Sequence, residues 1–366
     1  MKKFTEKDRY FMERALTIAY KVKGSTFPNP AVGAVIVKQG TIVGAGATKL
    51  YGGDHAEKVA LKKAGKNARN AVLYVTLEPC CHFGRTAPCT QAVVEAGIKK
   101  VVVAVTDPNP LVNGRGIRFL RNKKVQVSVG LMQEEASLLN EDFFWSVTHQ
   151  MPWVALKLAT TLDGKIADSS GNAKWITNKQ SRTFVHELRR RHAAVAVGKG
   201  TLLRDNPRLT VRHVKGCSPA RIVFASSPEI PENCHFRKDA SKYQSILVCK
   251  GGQRRRIEKR PDGVEVWYTG YKKNREHLSA FLRMAFDAGL TSIFIEGGRK
   301  LASSFLEHKL INRLYIFYSN TILGQGIESF SFAKHLTIDN TIRIGEIKTH
   351  SFGNNFLITG IPYRDK

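Results

Sequence analysis

Three cysteines and a histidine fall within the thirteen residues LEPCCHFGRTAPC, Leu77 to Cys89, and a second histidine stands upstream in DHAE, as His55 two residues ahead of Glu57. Such a cluster has three chemical readings: a disulfide knot, a redox pair, or part of a metal site. The redox motif Cys-x-x-Cys is absent, and six cysteines unevenly spread over 366 residues are too few for a disulfide scaffold. An imidazole and two thiolates, in contrast, are three ligands of the kind zinc prefers, leaving one tetrahedral position for water. The metal lowers the pKa of that water towards neutrality. Glu57 is close enough in sequence to His55 to take the water's proton and pass it to a departing amine. A His-x-Glu with Pro-Cys-x-x-Cys is the signature of zinc nucleobase deaminases, and HAE with EPC fits its first parts. Cys80 and Cys81 are adjacent, and neighbours in sequence rarely reach one tetrahedral site. One of them is a bystander, and spacing alone does not say which.

These residues need elements to hold them. After an opening amphipathic helix, AVGAVIVKQGTIVGAGAT reads as a strand hairpin turning at Gln39 and Gly40. HAEKVALKKAG has helical spacing and stops at Gly65, which puts His55 and Glu57 at a helix start. AVLYVTL is a buried strand whose end delivers Pro79 and Cys80, and TQAVVEAGI is a helix opened by Cys89. KKVVVAVTD is a further strand, DPNPLVNGRG is turn chemistry, and VQVSVG adds one more strand. This alternation predicts a mostly parallel sheet covered by helices. The pattern resets between Trp145 and Pro152, and we expect a boundary there, with domains at 1–148 and 149–366. The second half alternates again, with strands at WVALKLA, AAVAVG, ARIVFA, SILVCK, SIFIEG and RLYIFYS and a closing antiparallel hairpin. No Gly-x-Gly-x-x-Gly follows its first strand, so a Rossmann site is not supported. The strand SIFIE instead leads into Gly297-Gly298 and a helix from about Arg299, where amides behind glycines can bind phosphate.

Composition limits the alternatives. The formal net charge of +28 is spread along the chain, with only short clusters such as RRRIEKR at Arg254 to Arg260 and no interleaved aromatic residues. It reads as a solvated basic surface that attracts phosphorylated small molecules, and not as a dedicated nucleic-acid face. Glu6, Asp8, Glu13 and Arg14 interrupt any signal-like apolar run near the start, and no run reaches the ~18 residues of a membrane span. A cytoplasmic, reducing location is expected. Cys217, Cys234 and Cys249 read as ordinary buried or surface thiols.

The segments PNPAVGAVIV, HAE, YVTLEPCCHFGRTAPC and DPNP, in this order, resemble the deaminase half of the bifunctional riboflavin-biosynthesis deaminase/reductase family. The resemblance implies a cytidine-deaminase-like three-layer αβα fold, with zinc on His55, Cys80 and Cys89 and Glu57 as catalytic proton shuttle. Eight residues separate Cys80 from Cys89, where cytidine and tRNA-adenosine deaminases usually have two. Cys81 takes a place usually held by serine. Asn29, His82 and Arg85 fall where the family contacts the pyrimidine and the ribose phosphate, and a guanidinium fork suits phosphate.

ALKLATTLDGKIA, GNAKWIT, VGKGTLLRDNPRLT and IEGG are similar to the reductase half of the same family, which has a dihydrofolate-reductase-like α/β fold and uses NADPH. Carried over, Ala159, Trp175, Thr201 and Asp205 line the dinucleotide. So does the turn and helix start made by Gly298, Arg299, Lys300, Leu301, Ala302, Ser303 and Ser304. Lys157, Leu209, Arg212 and Glu296 face the phosphorylated substrate. Trp175 can equally be core packing. Ala173 replaces a serine usual before KWIT, and Arg299 and Lys300 replace small residues. Lys157 and Asp205 are the candidates for proton donor. A homo-oligomer, dimer or tetramer, is also implied. A deaminase of nucleic acid and a non-catalytic binding protein are the rival readings. The first leaves the second half of the chain unexplained.

Overall fold

The Thr5 hydroxyl accepts the Asp8 amide at 3.1 Å while Asp8 accepts the Thr5 amide at 2.9 Å. This reciprocal cap starts α1 (Glu6–Val22), which buries Phe11, Met12, Ala15 and Ala19 along one stripe. The computed structural model describes residues 4–83, 87–252, 254–333 and 336–363. The chain divides into two units, Met1–Gln150 and Met151–Lys366.

In the first unit β1 (Gly33–Lys38) and β2 (Thr41–Ala47) form an antiparallel hairpin. Gln39 and Gly40 at its turn both have positive φ, as a two-residue connection between twisted strands requires. There follow α2 (Ala56–Ala64), β3 (Val72–Val75), α3 (Cys89–Glu95), β4 (Lys100–Val103), α4 (Arg115–Asn122), β5 (Gln126–Val129), α5 (Gln133–Leu139) and α6 (Glu141–His149). The strand order is β2-β1-β3-β4-β5, with β3, β4 and β5 parallel and β1 antiparallel to both neighbours. Thus β2 and β3 point the same way across β1, and only β1 departs from the parallel direction. A Cβ on Gly33 would come within 1.9 Å of the Ala15 carbonyl on α1, and one on Gly46, paired with Ala34, within 2.6 Å of the Ala56 carbonyl on α2. Gly33 and Ala34 face opposite sides of the strand, so α1 and α2 cover opposite faces and make three layers. Between them lies a core that includes Met12, Val35, Ile36, Leu73, Val101 and Val103. Each such side chain contributes roughly 1.5–3 kcal/mol by leaving water.

The second unit begins with β6 (Trp153–Thr160) and β7 (Lys165–Ala167), then α7 (Lys179–Arg190), β8 (Ala194–Gly198), α8 (Lys199–Asp205) and β9 (Ala220–Ala225). It continues through α9 (His235–Lys238), β10 (Ser245–Cys249), β11 (Arg256–Lys259), β12 (Glu265–Tyr268), α10 (Asn274–Asp287) and β13 (Ser292–Glu296). Last come α11 (Arg299–Glu307), β14 (Arg313–Tyr318), β15 (Ile327–Glu328), β16 (Ile344–Phe352) and β17 (Asn355–Pro362). Ten strands form one sheet in the order β11-β12-β10-β9-β8-β13-β6-β14-β17-β16, and β7 pairs with β15 apart from it. The seven strands from β12 to β14 in that order are parallel; β11 at one edge pairs antiparallel with β12, and β17 pairs antiparallel with both β14 and the other edge strand, β16. The basic cluster around Arg256 lies on the exposed edge strand β11. Among the described residues, no helix is long and apolar enough to cross a membrane.

Candidate metal centre and reductase cleft

His55 is the N-cap of α2 in extended conformation and makes no side-chain cap bond, which leaves its ring free to turn away from its own helix. Its Nδ1 lies 3.5 Å from Cys80 Sγ and 3.4 Å from Cys89 Sγ. All three ligand atoms gather within 4.8 Å of one another. In a tetrahedral zinc site, sulfur at about 2.3 Å and nitrogen at about 2.05 Å place each N–S edge at about 3.6 Å. The donor set and its spacing therefore fit zinc. Cys80 leaves the end of β3 and Cys89 opens α3, and the Cys89 amide donates to Cys80 Sγ at 3.4 Å. Bonds from Cys89 and His55 draw the Cys80 thiol down to about 4, while its role as donor to Cys80, together with burial, pushes Cys89 up. The His55 imidazole is raised by its bond with Cys80. Cys81, half-buried, is not in this group, and burial raises its thiol.

Glu57, on the first turn of α2, is 4 % exposed. Burial, then the charge of Cys80, raises its carboxyl to about 7. Its contact with Cys89 keeps it on the ligand side and out of bulk solvent. A carboxyl so placed can hold or release a proton near neutral pH.

Two side chains not singled out from the sequence brace this site. Glu78, 3 % exposed, accepts the amides of Asp107 at 3.2 Å, Gly114 at 2.9 Å and Ile117 at 3.0 Å. It thereby ties the DPNP turn and the start of α4 to the strand end that carries Cys80. Asp107 itself is buried, and burial raises its carboxyl to about 6. Fully buried Asn140 bonds both the amide and the carbonyl of Ala31, each at 2.9 Å, and Lys23 pairs with Asp142 nearby in the chain. These contacts hold the turn that presents half-buried Asn29. Of the loop residues, His82 is half-buried, and its buried Nδ1 has no partner among the described residues. Arg85 lies outside the described residues.

In the second unit Lys157 and Glu296 are register partners on the parallel strands β6 and β13. Arg189 from α7 forks onto both Glu296 oxygens, at 2.8 Å from Nη2 and with a shorter bond from Nε. Burial pushes the Glu296 carboxyl up, but Arg189 and Lys157 outweigh it and hold it below the ordinary range. Burial depresses the Lys157 ammonium. Arg212 faces Arg189, Arg208 and Glu296, so cations outnumber the carboxylate in this neighbourhood. That surplus suits a phosphate. Leu209 is buried, with φ +56. Arg189 belongs to a run of three arginines that reads as a solvated face, and the one sequence signal against that reading is the helical phase of α7, which turns Val185, Leu188 and Arg189 inward.

Gly297 and Gly298 both have positive φ, and a Cβ on Gly298 would stand 3.1 Å from Thr201 Oγ1 on α8. This double-glycine turn and Thr201 form a close cradle at the start of α11, which fits a dinucleotide phosphate. Arg299, Lys300, Leu301 and Ser304 keep exposed or half-buried positions there. Ala302 and Ser303 are buried, and Ser303 Oγ accepts the Ser331 amide at 2.8 Å, so these two side chains pack inward, away from any ligand. Trp175 is 72 % exposed under the Arg182 guanidinium, 4.4 Å from its centroid, which rules out core packing. Ala159 follows Lys157 on the same face of β6, half-buried, and Asp205 is exposed at the end of α8.

Residues 5–105 match the family model of the cytidine and deoxycytidylate deaminase zinc-binding region, and residues 152–357 match that of the RibD C-terminal domain. The riboflavin biosynthesis protein RibD of Aquifex aeolicus is 41 % identical over 355 residues, covering 96 % of this chain and 98 % of that protein. The solved diaminohydroxyphosphoribosylaminopyrimidine deaminase/5-amino-6-(5-phosphoribosylamino)uracil reductase of Thermotoga maritima is 36 % identical with a TM-score of 0.85, covering 97 % of this chain and 99 % of its own. RibD of Acinetobacter baumannii is 32 % identical with a TM-score of 0.87, covering 98 % and 99 %.

Proposed function

The chain belongs to the RibD family of riboflavin-biosynthesis enzymes, which join a zinc deaminase to an NADPH reductase, and on that premise we propose the substrates and residue roles of both steps. The first unit hydrolytically deaminates 2,5-diamino-6-(5-phosphoribosylamino)pyrimidin-4-one. The second reduces the product's ribosyl group to a ribityl chain. The observation that carries the reading is the buried Glu57 carboxyl set against the His55, Cys80 and Cys89 ligand group.

His55, Cys80 and Cys89 hold the zinc, which when bound supplies the Lewis acidity that makes water a nucleophile near neutral pH. Glu57 takes one proton from the attacking water and returns it to the leaving nitrogen, so that ammonia departs and an oxo group replaces the amino group. Asn29, His82 and Arg85 orient the pyrimidine and its sugar phosphate. The buried Nδ1 of His82, which has no partner among the described residues, supports this role, since a buried imidazole nitrogen without a bond is costly unless a ligand supplies one.

In the reductase, NADPH supplies the hydride delivered to C1′ of the ring-opened sugar. Thr201, Gly298 and the helix start from Arg299 to Leu301, with Ser304, bind the cofactor phosphates, and Ala159, Trp175 and Asp205 flank the rest of the dinucleotide. Ala302 and Ser303 contribute through backbone placement, because their side chains are committed to the interior. Leu209, Arg212 and Glu296 bind the substrate. Lys157 is the better proton donor of the two candidates: it is held in a dry site beside Glu296, whereas Asp205 is exposed.

All six cysteines are free thiols, which supports a cytoplasmic location. The basic surplus serves phosphorylated small molecules and no specific nucleic acid. A dimer or tetramer belongs to the same reading, and light scattering on the full chain tests it. Incubation of purified protein with the diaminopyrimidine phosphate, with and without NADPH, tests the two steps. Mass analysis should find the deaminated ribosyl product without cofactor and the ribityl product with it. Tight site-specific RNA binding with no turnover of the pyrimidine would refute the proposal.

A further inference from the structure

The segment 209–212, between α8 and β9, is held from outside itself. The Arg212 amide donates to His186 Nδ1 at 3.1 Å, and Arg189 Nη1 donates to the Thr210 carbonyl at 3.0 Å, both from α7. On the other side the Val211 amide donates to Ser218 Oγ at 3.1 Å. Arg212 Nη1 in turn donates to Thr210 Oγ1 at 3.1 Å, so the guanidinium is tied back to the same short segment. Leu209 sits at φ +56 with its side chain 1 % exposed. A left-handed backbone is unfavourable for a residue with a side chain, so external contacts, not local preference, hold this turn in place.

Among those contacts His186 has an unusual setting. An imidazole nitrogen that accepts an amide proton must keep its lone pair, so the ring is neutral and its proton is on Nε2. The charged and titratable groups facing it are Arg189 on its own helix, Arg212 from the segment, His213 just after it, and Glu296 at the end of β13. The His213 ring stands edge-on at 4.5 Å. Burial first, and then these cations, hold the His186 imidazole down at about 3, so it stays an acceptor throughout the working range. A lysine or arginine here could only donate, and an aliphatic residue could not bond the amide at all.

We propose that His186 is a positioning residue of the reductase: through the Arg212 amide it fixes the turn that aims the Arg212 guanidinium at the substrate's phosphate. This rests on the reading that Arg212 faces the sugar phosphate. The placement of one amide acceptor thus sets the selectivity for phosphorylated substrate, with no contact between His186 and the substrate.

The test uses the full chain, with 5-amino-6-(5-phosphoribosylamino)uracil and its dephosphorylated form as competing reductase substrates. His186→Asn keeps an acceptor near the Nδ1 position, whereas His186→Gln is polar and of similar size but carries its amide out to the Nε2 position. His186→Gln should lose about tenfold of the preference in kcat/KM for the phosphorylated form, through KM, while His186→Asn stays within about twofold of the parent. Deaminase turnover and the KM for NADPH, measured on the same molecules, report folding. Should His186→Gln fail these controls, His186→Leu at lower temperature provides the same comparison against His186→Asn. Equal behaviour of the acceptor and non-acceptor variants, or an equal loss on both substrates, overturns the positioning role alone. A parent enzyme with no preference for the phosphorylated form overturns the phosphate reading, and this inference with it.

Discussion

Replacing Glu57 by Gln separates metal holding from proton handling. The amide has the shape of the carboxyl but cannot cycle a proton, and His55, Cys80 and Cys89 remain untouched. Zinc content should therefore be unchanged. Deamination should fall by about 10³-fold, within the 10²–10⁴ range for a positioned acid–base group and equivalent to about 4 kcal/mol of barrier. The upper part of that range applies because Glu57 is 4 % exposed, so bulk water has little room to take over the relay. Ammonia release by the purified full chain measures the loss and metal analysis measures the zinc. Reduction of separately supplied aminouracil phosphate is the internal control and should be unaffected. A variant that keeps more than about a tenth of the parent turnover would show that the proton travels by another route. A variant that loses its zinc would show that the carboxyl holds the metal.

Other perturbations address the remaining contacts. Cys80→Ser and Cys89→Ser should each strip the metal, while Cys81→Ser should keep both zinc and deamination; zinc loss from Cys81→Ser would refute the ligand assignment. Glu296→Gln leaves Arg189 and Lys157 facing each other without a carboxylate and should cost about 3–5 kcal/mol in denaturant unfolding, the usual penalty for breaking a buried pair, so an unchanged midpoint would refute the pairing. His277 is buried against Thr269, and burial lowers its pKa to about 4 from an ordinary 6.5. The folded chain therefore binds fewer protons there than the unfolded chain, and stability present above pH 6.5 is lost as pH falls towards 4, by at most about 3 kcal/mol. Thermal melts across that window should flatten in His277→Asn, and an unaltered slope would refute the assignment.

The candidate metal group was legible because histidine and clustered cysteines are scarce residues, and their placement at a helix start and a strand end follows from periodicity. The choice between Cys80 and Cys81 was not legible from spacing, since it depends on how the chain turns after Val75, beyond the last ladder position of β3. Strand positions in the second half could be read because six of them are short apolar runs. The strands β11 and β12 were missed: every residue of β11 is exposed, and charge masks its pairing. The helix α4 was hidden by three arginines in RGIRFLRN and by the preceding turn, although Ile117 and Leu120 mark its buried face. The direction of β1 was not local information either. A hairpin followed by a helix and a strand keeps the parallel crossover rule between β2 and β3, yet leaves β1 between them running the other way. Arg189 and Glu78 were invisible for a related reason. Each is defined by partners far along the chain, 107 residues away for Glu296 and 29 to 39 for the amides that Glu78 accepts.

Both chemistries sit where parallel strands end. In the first unit Cys80 follows β3 and Asp107 follows β4, and His55 and Cys89 open the helices that lead back into the sheet. In the second, Glu296 ends β13, Lys157 pairs with it across β6, and Gly198 joins β8 to the helix that carries Thr201. At the carboxyl ends of parallel strands, side chains from separate segments converge while helix amides point outward, so ligands and charge can meet without disturbing the ladder beneath. The demands on the two ends differ. The first keeps the buried Glu57 carboxyl beside the thiol ligands, while Glu78 fixes three backbone amides next to the strand end that carries Cys80. In the second, Glu296 accepts the Arg189 fork and stands across from Lys157, offsetting part of a local excess of positive charge. The two anchoring carboxylates therefore do opposite work. Glu78 satisfies a neutral backbone, whereas Glu296 offsets the charge of Arg189 and Lys157.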